Sequence, residues 1–242
     1  MSDNQIPWTR AAAAAAYQRQ YAPPSMTPFH LIAFIVILLF LLVLVQLGLF
    51  TIAINKLGIS PQAALLWLLV SLLGSVVNLP LFRLRTDQPV VPPAGFRPGW
   101  PFAPKDLRRG EMLIAINLGG ALMPLLFCAY LLQHYDLPVQ RVLLCIVIVG
   151  AISYYFSKPV AGMGIAMPVL VAPIAAAIAA VMFVPNMSAP TAYIAGTLGV
   201  LLGADLLRIK DVRRMGTPVA SIGGAGTFDG IFITGIVAVL LA

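Results

Sequence analysis

Charge is scarce in this chain. Asp, Glu, Lys and Arg make up 10% of its 242 residues, against about 25% in soluble domains. That deficit leaves no room for a sizeable soluble domain beside the apolar runs, and the chain reads as one membrane domain. Histidine and cysteine are also scarce, at two each. Cys128 and Cys145 lie in apolar runs without C-x-x-C spacing, so they read as small core hydrophobes. His30 and His134 lie far apart near segment ends, without the partners of a metal site or a Ser/His/Asp triad. No P-loop glycine pattern is present. Neither metal nor cofactor is expected.

Hydrophobicity is what the sequence has in abundance: 60% of residues, with a mean hydropathy of +0.96. The expected fold is all-α, a polytopic bundle of about seven transmembrane helices. The spans fall near 29–54, 63–82, 112–132, 139–156, 168–184, 191–207 and 219–241. A cytoplasmic tail, 1–27, precedes this single transmembrane domain, 28–242. The first run is too long for a signal-peptide core and lacks a cleavage site after it, so it is expected to stay. Residues 83–110, dense in proline and arginine, read as an irregular cytoplasmic loop. Pro173 is expected to kink the fifth span.

Seven spans sort the charge. The N-terminal side receives Arg10, Arg19, Arg83, Arg85, Arg97, Lys105, Arg108, Arg109, Lys158, Arg208, Lys210, Arg213 and Arg214, 13 of the 15 Lys and Arg residues. The other side receives Lys56 and Arg141. Cytoplasmic loops gather basic residues, which places the N-terminus inside and the C-terminus outside. The same rule explains the net charge of +7 without nucleic acid. The partners expected are the lipid bilayer and, at the basic loops, anionic lipids. A protein or small-ion substrate is left open.

Six of the eight acidic residues fall in loops, tails or span ends. Asp205 and Asp229 fall inside apolar segments, where an acid costs about 2.5–3.5 kcal/mol on insertion scales and marks a functional candidate. The last apolar run opens with Gly223, Gly224 and Gly226, which make an unbroken helix doubtful there. As a full helix, Asp229 would stand about 15 Å from Val219. If the stretch is extended, Asp229 stands in the first turns of the final helix, and the two carboxyls can meet in the cytoplasmic half of the membrane. Gly196, Gly199 and Gly203 form a small-residue packing seam, with Asp205 roughly opposite. The bland alternatives are a helix cap at either acid, or an i,i+3 pair between Asp205 and Arg208. Asn117 reads as interhelical glue, and Thr227 and Thr234 as bonding their own helix backbone. Gly203, Gly223, Gly224, Gly226, Thr227 and Asn117 are the positioning candidates around the acids.

The stretches "YIAGTLGVLLGADLL", "ASIGGAGTFDGIFITGIVAVLLA", "NLGGALMP" and "GMGIAMPVLVAP" resemble a family of bacterial and archaeal membrane proteins of unknown function. The resemblance covers most of Glu111–Ala242. It implies a polytopic membrane protein and no established activity. Asp205 and Asp229 also resemble, in order, sidedness and glycine context, the acids of presenilin-like intramembrane aspartyl proteases. Here the second acid sits in G-T-F-D rather than G-x-G-D, no tyrosine precedes Asp205, and the proline-alanine-leucine motif is absent. Such a dyad shares a proton and activates water. Three other classes stay open: proton- or cation-coupled transport through glycine-broken helices, lipid-phosphate chemistry at "GGAGT", and a scaffold without chemistry.

Overall fold

A computed structural model describes residues 36–39, 49–86, 111–160, 164–213, 219–224 and 230–242. The chain is mostly helical. Helix α1 is Leu49–Lys56 and α2 is Pro61–Gly74. Ser60 caps α2 by accepting from the Ala63 amide, and Pro61 supplies the preset backbone of a first helical residue. Strand β1, Asn78–Arg85, follows; β2, Glu111–Asn117, leads through a π-turn, Leu118–Leu122, into α3, Met123–His134. Helix α4, Val139–Phe156, ends at a small hairpin of β3, Lys158–Val160, and β4, Gly164–Ala166. Helix α5 is Val171–Phe183 and α6 is Ser188–Val200, which runs on into a second π-turn, Leu201–Leu206. The short α7, Ile209–Val212, strand β5, Val219–Ile222, and α8, Gly230–Leu241, complete the order.

The all-α expectation is corrected by a three-stranded sheet, ordered β1-β2-β5. β1 pairs antiparallel with β2 from Asn78↔Asn117 to Arg85↔Glu111, and β2 pairs parallel with β5 from Leu113↔Val219 to Ile116↔Ile222. β2 is the middle strand and is buried on both faces from Met112 to Ala115. A strand of that kind is apolar throughout and has no period to distinguish it from helix. The ladder shifts between Pro80 and Phe82, on an edge strand, where a residue without an amide donor is tolerated. Strand therefore occupies the end of the second expected span and the start of the third and seventh. Arg83–Arg85, expected in an irregular loop, belong to β1; residues 87–110 lie outside those described. Pro173 stands in the first turn of α5, where it disturbs little, rather than at a kink.

Among the described residues, two helices are long and apolar enough to cross a membrane: Val139–Phe156 and the continuous run Pro185–Leu206. The apolar helices Pro61–Gly74, Leu118–His134 and Val171–Phe183 are shorter. α6 is the hub. It packs on α4, α5 and α8, through a core rich in alanine: Ala172, Ala176 and Ala180 from α5, Ala192 and Ala195 from α6, Ala238 from α8. Small residues let helix backbones approach closely, which apolar surroundings reward with dispersion contacts. Cys128 and Cys145 are buried free thiols in this core.

Candidate functional site

The site lies where α6 ends and β5 turns toward α8. The π-turn at Leu201–Leu206 closes with Leu207 N–H donating to Leu202 O at 2.9 Å. One residue more than an α-helix needs is accommodated there, a distortion common at functional positions. It changes which way Asp205 points. Tyr193 and Thr197, four apart, share a face; in a regular helix Asp205 would stand roughly 80° off that face. The extra residue turns it back to within about 20°. The contacts agree. Tyr193 and Thr197 abut Gly235 of α8, and Asp205 abuts Gly223, just after β5. One side of α6 and its π-turn thus presents a tyrosine and a threonine to Gly235 and an acid to Gly223.

Asp205 Oδ2 accepts the Gly223 amide at 3.1 Å. Gly223 has φ +71°, and a Cβ there would lie 2.5 Å from Ala121 Cβ. Glycine is required on both counts: the left-handed backbone and the close approach to the turn after β2. Beside it, Asn117 is almost fully buried. Its Nδ2 donates to Ser75 O at 2.7 Å and to Asn78 Oδ1 at 3.0 Å, while its Oδ1 accepts from Gly120 N at 2.7 Å. Ser221 Oγ also donates to Asn78 Oδ1. Asn117 therefore ties α2, β1 and the turn into α3 together. Asn78 and Ser221 were not singled out from sequence; Asn78 opens β1, and Ser221 is the polar residue of the otherwise apolar β5. Gly224 packs against Ser221 and Asn117.

The alternative reading of Asp205, an ion pair with Arg208, does not form. Arg208 Nη1 bonds Asp211 Oδ2 at 3.0 Å, Nε donates to Ser157 Oγ and Nη2 to Tyr154 O, and its guanidinium lies 4.2 Å from the Tyr154 ring centre. The planar fork satisfies two acceptors at the end of α4 and one on α7, and the geometry commits it there. Asp205 has no ion-pair partner among the described residues. The glycine seam is divided between neighbours: Gly199 and Gly203 pack against α4 at Val149 and Gly150, and Gly196 packs against Thr234, Ala176 and Ala238. Asp229, Gly226 and Thr227 lie outside the described residues; α8 begins at the residue after Asp229. Among the described residues, no group of three or more His, Cys, Asp or Glu could hold a metal ion.

A mostly helical bundle with a small mixed sheet, an acid on a π-turn and a left-handed glycine as its partner defines the class. The chain belongs to the family described as protein of unknown function (DUF1614), whose match covers residues 72–241. That match starts before β1, so both strands of the antiparallel pair lie inside it. No curated protein and no solved structure matches the chain.

Proposed function

We propose that the chain is a polytopic integral membrane protein of seven spans, N-terminus inside and C-terminus outside, whose working groups are Asp205 and Asp229. Large apolar side chains stand exposed along α2, α4 and α5, among them Leu66, Leu73, Val147, Ile178 and Met182. Apolar surface on that scale suits lipid better than water. The 13-to-2 division of basic residues supplies the orientation. Arg83, Arg85, Lys158 and Lys210 fall on the cytoplasmic side in this arrangement and meet anionic lipid.

The activity proposed is hydrolysis of a peptide bond within the membrane. The observation that carries it is the Gly223–Asp205 hydrogen bond. It fixes the root of the glycine-rich segment to one carboxylate, and the second acid follows six residues later, a reach of at most about 20 Å. In the reaction, one carboxylate takes a proton from water as its oxygen bonds the scissile carbon. The other, protonated, gives its proton to the carbonyl oxygen. The tetrahedral diol then breaks its C–N bond: the amine leaves with the proton first taken from water, and one diol hydroxyl returns its proton to the second carboxylate as the carboxylic acid forms.

The test uses purified protein and a quenched fluorescent peptide with one apolar span, together with a photoreactive peptide carrying a hydroxyl in place of the scissile carbonyl. Cleavage and capture by the wild type, with both lost in Asp205→Asn and Asp229→Asn, is the expected result. A folded wild type that does neither ends the hydrolase reading. Proton- or cation-coupled transport is the second reading, favoured by the buried hydroxyls of Tyr193 and Thr197 on the same side of α6 as Asp205. Its test is dye-reported proton entry into proteoliposomes, abolished by Asp205→Asn.

A further inference from the structure

One face of α5 carries a ridge. Ile174, Ile178 and Met182 stand four residues apart, a spacing that stacks side chains along a helix, and all three are exposed. A groove runs along each flank of the ridge. The groove toward α4 has a volume of about 540 Å³ and is walled by Ile148, Ile152, Leu170 and Phe183 as well as the ridge. The groove toward α8 has a volume of about 410 Å³ and reaches Val181 and Leu241. Short side chains give them depth: Ala175 and Ala179 in the first, Ala177 in the second. Both volumes fall in the range of small-molecule sites, roughly 300–1,000 Å³.

A cation stands where α5 ends. Met182 lines both grooves, and Phe183 beside it lines the first. Arg141, in the first turn of α4, reaches that end and donates from Nη1 to Phe183 O at 3.5 Å. It is exposed and has no ion pair among the described residues. A guanidinium is a planar fork with donors to spare, and its geometry matches phosphate. The side chains lining both grooves are all apolar. The surface is two apolar channels, one on each flank of a helix, with a cation at its end.

We propose that this surface binds one two-chain anionic phospholipid astride α5, with an acyl chain in each groove and the phosphate on Arg141. The proposal rests on the membrane reading above and on neither carboxylate. From Leu170 to Phe183, α5 rises about 20 Å. An acyl chain fills one leaflet, about half of a 30 Å hydrocarbon core, and fits that length, whereas a partner helix crossing the membrane needs the whole core. A partner helix also packs closest on small residues, and here the alanines are recessed behind isoleucine and methionine. Charge complementarity supplies the headgroup. Arg141 lies on the side opposite the basic loops, so this lipid is distinct from those that Arg83, Arg85, Lys158 and Lys210 meet.

The experiment places the full chain in phosphatidylcholine nanodiscs with a trace of phosphatidylglycerol carrying a photoreactive diazirine on one acyl chain. Labelled peptides are read by mass spectrometry. The expected result is label on Ile174, Ile178 and Met182 that excess unlabelled phosphatidylglycerol displaces. Label spread evenly onto exposed Leu66 and Leu73 of α2, and not displaced, is bulk lipid and overturns the proposal. Arg141→Gln removes an exposed charge and should leave the melting temperature unchanged. It should raise the half-displacing concentration about fivefold, the affinity that one basic residue adds at a lipid surface. Unchanged displacement in that variant also overturns the proposal. Ala175→Phe fills the first groove and should clear label from Ile148 and Ile152 while leaving it at Leu241; label that stays on Ile148 overturns the two-chain arrangement. If Ala175→Phe unfolds, the wild type and Arg141→Gln decide. A chain that cleaves no peptide can still pass this test, whereas one that stays dissolved without detergent ends the membrane reading and this proposal together.

Discussion

The carboxylate of Asp205 and the amide of Gly223 are joined at 3.1 Å across eighteen residues of chain. This bond separates two roles that a single acid can have. A carboxylate and a carboxamide both accept from an N–H, but only the carboxyl can exchange a proton. Asp205→Asn should therefore keep the glycine turn in place, with an unchanged melting temperature in detergent, and lose activity. Asp205→Ala removes the acceptor and should cost a further 1–3 kcal/mol, roughly, of stability. Full activity in Asp205→Asn would reduce Asp205 to a tether.

The same logic governs the pair. If Asp205 and Asp229 act as a unit, Asp229→Asn should be as damaging as Asp205→Asn, and the double variant no worse than either. Losses that multiply in the double variant, measured as initial rates under identical conditions, would show two independent groups.

Gly223→Ala should destabilise the turn that holds Asp205, although it replaces neither acid. Its backbone is left-handed, which costs a residue with a Cβ about 1–2 kcal/mol, and the new methyl would collide with Ala121. Thermal unfolding in detergent is the measurement. An alanine variant as stable as the wild type would mean that this turn relaxes freely.

Asn117→Ala strips three hydrogen bonds from a buried site. The expectation is a loss of about 3 kcal/mol, since Ser75 O and Gly120 N are left unpaired. Asn117→Asp should be comparably harmful, because a carboxylate cannot donate to Ser75 O. If the aspartate variant matched the wild type, the donor role assigned to Nδ2 would be wrong.

For topology, a reporter fused after Ala242 should be active only if it works outside the cytoplasm. Cysteines placed at Lys158 and Lys210 should react with an impermeant reagent only after cells are opened. Reaction in intact cells would reverse the orientation.

The helices of the bundle were legible because long apolar runs bounded by charge leave few alternatives, as at Val139–Phe156. The sheet was not. β2 is apolar on both faces, and nothing in "EMLIAIN" distinguishes it from the opening of a helix. Its partner did carry a signal: "RLR" in β1 alternates with period two, yet it sits beside a proline-rich stretch that reads as loop. The two acids stood out by their depth in apolar sequence. The direction in which Asp205 points depends on a π-turn, which sequence periodicity at 3.6 residues does not register. The alternative of an Asp205–Arg208 pair stayed open in the sequence because spacing alone allows an i,i+3 pair at both Asp205 and Asp211. Two acceptors at the end of α4, distant in sequence, join Asp211 in holding the guanidinium.

The parallel pairing of β2 with β5 also sets an order of events in synthesis. The middle strand gains its antiparallel neighbour from chain already made, but the other edge waits for Val219–Ile222. At ribosomal rates of about 5–20 residues per second, the roughly one hundred intervening residues take on the order of 5–20 s. Through that interval the unpaired backbone of β2 is open to any passing strand, including one from another copy. A cell making this protein faces its greatest risk of misassembly before the last helix leaves the ribosome, and chains cut short ahead of β5 should be the ones that aggregate.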